Sequence, residues 1–136
     1  MPLVLVAKTD AGYAQWVADQ QAGAAAEAAA AGKTWTMDVL VAKGGEVYKK
    51  NCAACHQAEG QGIPGVFPAI TGSAVATGDV AKHIDIGING VAGTAMAAFG
   101  PQLSDVELAA VITYQRNALG NSTGDMVQPS DIAAAR

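Results

Sequence analysis

An all-α domain folded around a covalently attached prosthetic group is the class the sequence predicts, and three observations carry that expectation. The first is the pentapeptide Cys52-Ala53-Ala54-Cys55-His56. The second is a pair of Gly- and Pro-rich stretches, residues 57–78 and 89–103, too long and irregular for a compact domain unless they wrap something. The third is a set of helix signals around them, the clearest being the capping box Ser104-Asp105-Val106-Glu107 ahead of an apolar helical period. C-x-x-C-H is the attachment signature of a c-type haem. Two thiols on one turn of helix add to two vinyl groups of one porphyrin, and the next residue offers an imidazole nitrogen to the iron. Its other ring nitrogen keeps a proton for a backbone carbonyl.

Other chemistries for the cysteine pair fit poorly. A redox dithiol belongs at the start of a helix inside a βαβ pattern, and no parallel-sheet pattern surrounds this one. A zinc site needs a second ligand pair, yet there are two Cys in all, and His56 and His83 are much too far apart for the usual H-x₃₋₅-H half. Chance occurrence is tested by the rest of the chain.

At 136 residues the chain is one domain with an appendage. Half of it is hydrophobic, much of that Ala, with two Phe, two Trp and three Tyr to fill a core. A fold so short of large side chains needs a staple, and a tethered haem supplies a cross-link and an apolar centre together. The net charge of −4, with no basic run, argues against nucleic acid and anionic membrane surfaces and suits a basic protein partner. No stretch reaches the roughly 18–20 apolar residues of a membrane span. Leu3 to Ala7 is too short for the apolar region of a signal peptide. Haem c is attached outside the cytoplasm in bacteria, so a chain with this motif and no export signal is expected to be a piece of something larger.

Residues 1–7 form a short apolar run that reads as a strand buried on both faces, without a partner. Thr9 or Asp10 can cap a small packing helix with Tyr13, Trp16 and Val17 on one face. From Gln21 to Gly32 the composition collapses to Ala, a spacer expected to be partly helical at best. Thr36 precedes a helical period running to Cys55, in which Gly44 and Gly45 need a reason such as close approach of another helix. Asp79 can cap a short helix with Val80, Ile84 and Ile88 on one face, closed by Gly90, with His83 off that stripe. The helix begun at Ser104 buries Leu108, Val111, Ile112 and either Tyr114 or Leu119, and stops at Gly120. Beyond Asn121 the chain is polar with Pro129, and little order is expected there.

The second side of the iron decides between electron carrier and catalyst. Met1, Met37 and Met126 lie in the first strand, at a helix start and in the tail, whereas Met96 sits mid-loop between Gly93 and Gly100. Backbone freedom there lets a thioether reach the distal face, making Met96 the expected sixth ligand. His83 is the rival, and would give a bis-imidazole iron of lower potential. A thioether favours ferrous iron and raises the potential, as an electron carrier to a terminal acceptor requires.

These motifs assemble into a resemblance. Gly44-x-x-x-Tyr48 before Cys52-x-x-Cys55-His56, then Phe67-Pro68-Ala69-Ile70-Thr71-Gly72, then Gly93-Thr94-Ala95-Met96 and a last helix with Tyr114 resembles a class I cytochrome c. The resemblance implies an all-α fold with the first and last helices crossing at Gly44 or Gly45 against Tyr114. It also implies that the Pro68 carbonyl accepts from His56, and that loops around Pro68, Ile70 and Phe99 exclude water. More narrowly, His83 to Asn121 and the following Thr-Gly-Asp-Met-Val-Gln-Pro-Ser-Asp-Ile are similar to the cytochrome c domain fused to subunit II of bacterial haem-copper oxidases of the caa3 type. Residues 1–21 are similar to the end of that subunit's cupredoxin domain, where Met-Pro follows the last copper-ligating His and a Tyr-x-x-Trp helix comes next. The implied organisation is 1–21, the end of an upstream cupredoxin domain (strand plus helix); 22–35, an Ala-rich linker; 36–120, the cytochrome c domain; and 121–136, a C-terminal tail.

In that reading Cys52 and Cys55 tether one haem c and His56 and Met96 ligate its iron. The chain does no bond chemistry itself. It takes one electron from a soluble cytochrome or quinol-oxidising complex and passes it to the copper centre of its parent subunit. Its partners are then the rest of subunit II and subunit I, on the periplasmic side of the inner membrane. Two departures are visible: the upstream Cys pair and His ligands of the copper site are absent, so Met1 binds no such centre here, and Leu119 replaces a Trp. A free-standing periplasmic cytochrome shares every haem motif but leaves the first strand unexplained. A haem enzyme or gas sensor needs an open or labile sixth position.

Overall fold

A computed structural model describes residues 6–136, and among them the regular elements are all helices. Of the expected first strand, residues 1–5 lie outside the described residues, while residues 6 and 7 are irregular and exposed.

Helix α1 spans Asp10–Ala31, with Thr9 as N-cap accepting from the Gly12 amide at 3.2 Å. It corrects the expectation of a small packing helix followed by a partly helical spacer. The helix runs unbroken through the Ala-rich stretch, because Ala has the highest intrinsic helix propensity and Gly23 alone interrupts it. It buries no side chain. Tyr13 and Trp16 stack on each other, ring centres 5.9 Å apart, rather than on the domain.

The core is the crossing of α2 (Met37–Asn51) with α6 (Asp105–Asn117). Leu40, Val47 and Tyr48 of the first meet Leu108, Ala109, Val111 and Ile112 of the second in one buried cluster. The two helices touch at Gly44, where a Cβ would stand 2.1 Å from the Ala110 carbonyl oxygen and 2.6 Å from Tyr114 Cβ. Backbone therefore packs directly on backbone there, which accounts for a glycine inside a helix. The Tyr48 and Tyr114 rings meet beside it at 5.5 Å, and the Tyr48 hydroxyl donates to the Gln57 carbonyl at 2.7 Å.

The expected continuous period to Cys55 is broken. Helix α2 stops at Asn51, Cys52 lies between, and a single turn, α3 (Ala53–His56), follows. The first long loop contains one more turn, α4 (Ala74–Thr77), capped by Ser73. Helix α5 (Val80–Asn89) is capped by Asp79 and ended by Gly90 as its sequence signals indicate. Helix α6 carries the full capping box between Ser104 and Glu107.

The tail corrects the expectation of little order. Helix α7 (Pro129–Ala135) packs on α6, burying Val127, Pro129 and Ile132. Polar anchors explain it: Thr113 Oγ1 pairs with both the amide and the carbonyl of Val127, and Arg116 holds Asp125 through two 2.7 Å bonds. Arg116 is itself buried and also donates to the carbonyls of Ala76 and Gly78. Gln128 exchanges bonds of 2.9 and 3.0 Å with the Trp35 backbone, and the Trp35 indole donates to Ala30 at the end of α1.

Candidate functional site

The pentapeptide is wound as one turn. The Cys52 carbonyl accepts from the amides of Cys55 (3.1 Å) and His56 (2.9 Å), so the two sulfurs and the imidazole are presented by a single turn. All three side chains line one cavity of about 580 Å³. Burial, followed by the neighbouring Cys55, pushes the Cys52 thiol up to about 11. A reactive dithiol needs the opposite shift, so the geometry disfavours thiol–disulfide chemistry. Among the described residues, no three His, Cys, Asp or Glu side chains gather as a metal-ion site.

His56 Nδ1 stands 2.9 Å from the Pro68 carbonyl oxygen. A carbonyl only accepts, so Nδ1 carries the proton and Nε2 keeps its lone pair on a side chain that lines the cavity. The loop is braced for this: Gly62 donates to the His56 carbonyl at 2.9 Å and Ile70 to that of Gly60 at 2.7 Å. Ile70, buried, lines the same cavity.

The loop after α5 brings Met96 to that cavity from another direction. Gly90, at φ +69°, turns the chain so tightly that a Cβ would lie 2.5 Å from the Met96 carbonyl oxygen. Val91 donates to that carbonyl at 3.0 Å, and Thr94 Oγ1 accepts from the Met96 amide at 3.1 Å. Phe99, anchored by its amide to the Gly87 carbonyl, lines the wall beside it. The structure therefore brings Cys52, Cys55, His56, Pro68, Ile70, Met96 and Phe99 together around one space. Gly44 and Tyr114 do not line it; they form the helix crossing behind it.

His83 differs from expectation. It is buried at 6 % exposure, lines the cavity, and its Nε2 lies 2.9 Å from Gln115 Oε1. Among the described residues its Nδ1 has no partner. Burial above all, with Arg116 adding to it, lowers its pKa to about 4 against the support of Gln115 and Asp125, so the imidazole is neutral. The available signal was a second helical face, because His83, Ile86 and Gly87 all line the cavity at i, i+3, i+4 spacing.

A cavity of this size lies within the roughly 300–1,000 Å³ of small-molecule and cofactor sites. Its walls are mainly aliphatic and aromatic, with two cysteines and an oriented imidazole from one turn and a methionine from a separate loop among the residues that line it. That donor set fits haem c: sulfur for covalent attachment, nitrogen and sulfur for iron, apolar walls for the macrocycle.

Residues 39–114 match the family described as "Cytochrome C oxidase, cbb3-type, subunit III". The chain is 33 % identical over 103 residues to the cytochrome c subunit of a quinone-dependent alcohol dehydrogenase from Gluconobacter oxydans (strain 621H), covering 68 % of this chain and 22 % of that protein. It is 36 % identical over 84 residues to the cbb3-type cytochrome c oxidase subunit CcoP of Azospirillum brasilense, covering 57 % of this chain and 28 % of that one. With cytochrome c-552 of Thermus thermophilus it shares 31 % over 94 residues, covering 60 % and 71 %. The chain thus spans between a fifth and a third of the longer dehydrogenase and oxidase relatives. Matched over more than half its length, with the helical fold and the C-x-x-C-H turn in place, it belongs to this cytochrome c family, an electron-transfer domain of class I fold that carries haem c covalently.

Proposed function

We propose that the chain is the haem-bearing relay of a caa3-type oxidase, the cytochrome c domain fused to the C-terminus of subunit II. The observation that carries the relay is that His56 and Met96 line the same apolar cavity as Cys52 and Cys55. Haem c supplies a one-electron ferric/ferrous couple when bound. Cys52 and Cys55 would give their sulfurs to the tethers, His56 and Met96 would hold the iron, and the Pro68 carbonyl fixes the His56 tautomer. Ile70 and Phe99 keep water from the iron, while Gly44 and Tyr114 hold the helix crossing that forms the floor of the pocket.

The oxidase assignment is supported by the similarity of residues 1–21 and 83–131 to that subunit, and by the chain's membership of an oxidase-subunit family. In it, residues 1–21 end the cupredoxin domain, 22–35 link, 36–120 form the cytochrome domain and 121–136 its tail. Electrons come from a soluble cytochrome or quinol-oxidising complex and leave to the dinuclear copper centre, on the periplasmic side of the membrane. A second reading, the cytochrome c module of a quinone-dependent dehydrogenase, is favoured by the alcohol dehydrogenase relatives.

Near-infrared absorption tests the ligation. The sulfur-to-iron charge-transfer band of the oxidised protein is expected in the native chain and absent in Met96→Ala, and ready binding of CO by the native ferrous protein would overturn it. Rapid mixing of the reduced chain with a copper-loaded subunit II cupredoxin domain tests the relay. Electron transfer within milliseconds is expected, and none on the timescale of seconds would shift the assignment to the dehydrogenase module.

A further inference from the structure

Among the described residues, His83 is the buried polar side chain left without a partner at one atom. Its Nε2 is paired with Gln115 at 2.9 Å, its Nδ1 with nothing, and both residues line the cavity. The other buried polar groups are consumed within the protein. Thr113 is bonded to Val127, Arg116 to Asp125 and two carbonyls, and Asn121 to Ile70, Gln115 and Gly72. An unpaired nitrogen in an otherwise apolar wall is a penalty unless the group that fills the cavity completes it.

Haem enters such a cavity as an apolar macrocycle with two strongly polar substituents, its propionate carboxylates. A carboxylate lowered into low dielectric needs a donor. We propose that His83 Nδ1 donates a hydrogen bond to a haem propionate, with Gln115 holding the ring in the required tautomer. The proton accounting permits this without charging the ring. An amide is a donor at one end and an acceptor at the other, so turning the Gln115 amide lets its NH₂ donate to Nε2, and the single imidazole proton then sits on Nδ1. The proposal rests on haem c filling this cavity, and it assigns His83 a role distinct from axial ligation.

The test uses the intact holoprotein in the diamagnetic ferrous state, with ¹³C at the haem propionate carboxyls and ¹⁵N in histidine. Haem content and the charge-transfer band of an oxidised aliquot are recorded first, so that failure of the His56/Met96 reading is seen separately. Solid-state dipolar recoupling then measures the distance from carboxyl carbon to ring nitrogen. A coupling for a separation within about 4 Å is expected, as a direct hydrogen bond requires. It should vanish in His83→Gln, which retains an amide donor for the carboxylate but no labelled ring. Absence of coupling in the native holoprotein, as when a water molecule alone satisfies Nδ1, would overturn the proposal. So would coupling that persists unchanged in His83→Gln, since it would then arise from His56.

Discussion

At the N-terminal end, α1 winds 22 residues without burying one side chain. At the C-terminal end, residues 121–136 bury Asn121, Val127, Pro129 and Ile132 against α6. Both stretches are poor in large apolar residues, and both invite the expectation that they lie outside the domain. The difference is in what the body of the domain offers each of them. The tail finds Thr113, Arg116 and the carbonyls of Gly100 and Leu103, which it reaches through Val127, Asp125 and Arg136. Helix α1 presents mainly methyl groups and one self-stacked aromatic pair, and where it meets α6 it buries no side chain. Membership of a small fold is decided here by a few polar anchors and two or three buried side chains, not by composition.

Removing each end separately gives the largest contrast. Deleting residues 122–136 should cost roughly 5 kcal/mol, from the burial of Val127 and Ile132 and the charge-assisted bonds of Arg116. That is comparable to the whole stability of a small domain. Denaturant titration of the holoprotein should show early or uncooperative unfolding, whereas deleting residues 1–32 should leave the midpoint in place. Equal effects of the two deletions would erase the distinction.

Single side chains sharpen the same contrast on a smaller scale. Ile132, fully buried, should lose about 3 kcal/mol as Ile132→Ala. Trp16, larger but 44 % exposed, should lose no more than about 0.5 kcal/mol as Trp16→Ala. Thermal unfolding monitored at the Soret band reads both.

Acid should act on the tail's side of the molecule, with about 1–3 kcal/mol lost at His83 and less at Asp125, whose side chain is 45 % exposed and screened by solvent. His83 has a pKa lowered by burial from 6.5 to about 4, so the unfolded chain takes up the proton first, and stability held above pH 6.5 is lost as the pH falls towards 4. Asp125 is lowered from 3.8 to about 2, chiefly by its bond to Arg116, so its contribution is present above 3.8 and is lost as the pH falls through 2. Both losses run in the same direction. Asp125→Asn should flatten the lower part of the profile, and His83→Gln the upper part. A midpoint independent of pH between 7 and 4 would contradict the His83 contribution.

Much of this architecture was legible because its causes are local. The Asp79 and Ser104 caps, the Gly90 stop and the C-x-x-C-H turn each depend on residues within one or two turns, and Gly44 announced a close crossing by being a glycine in a helix. What was not legible depends on partners far along the chain. Arg116 reads as an ordinary charge near a helix C-terminus until Ala76, Gly78 and Asp125 converge on it. His83 reads as a surface or hydrogen-bonded residue, and its partner Gln115, 32 positions away, is what places it inside. For α1 the propensity was visible, but a spacer was expected because no apolar face required a helix.

The reciprocal bonds between Trp35 and Gln128 bring the start of α2 and the start of α7 to one point. Tension applied along α1 would thus arrive at a clasp between two ends of the chain, bypassing the turn that holds the cysteines. A pull on the long helix would load this buckle first, and the turn carrying Cys52, Cys55 and His56 would be mechanically shielded.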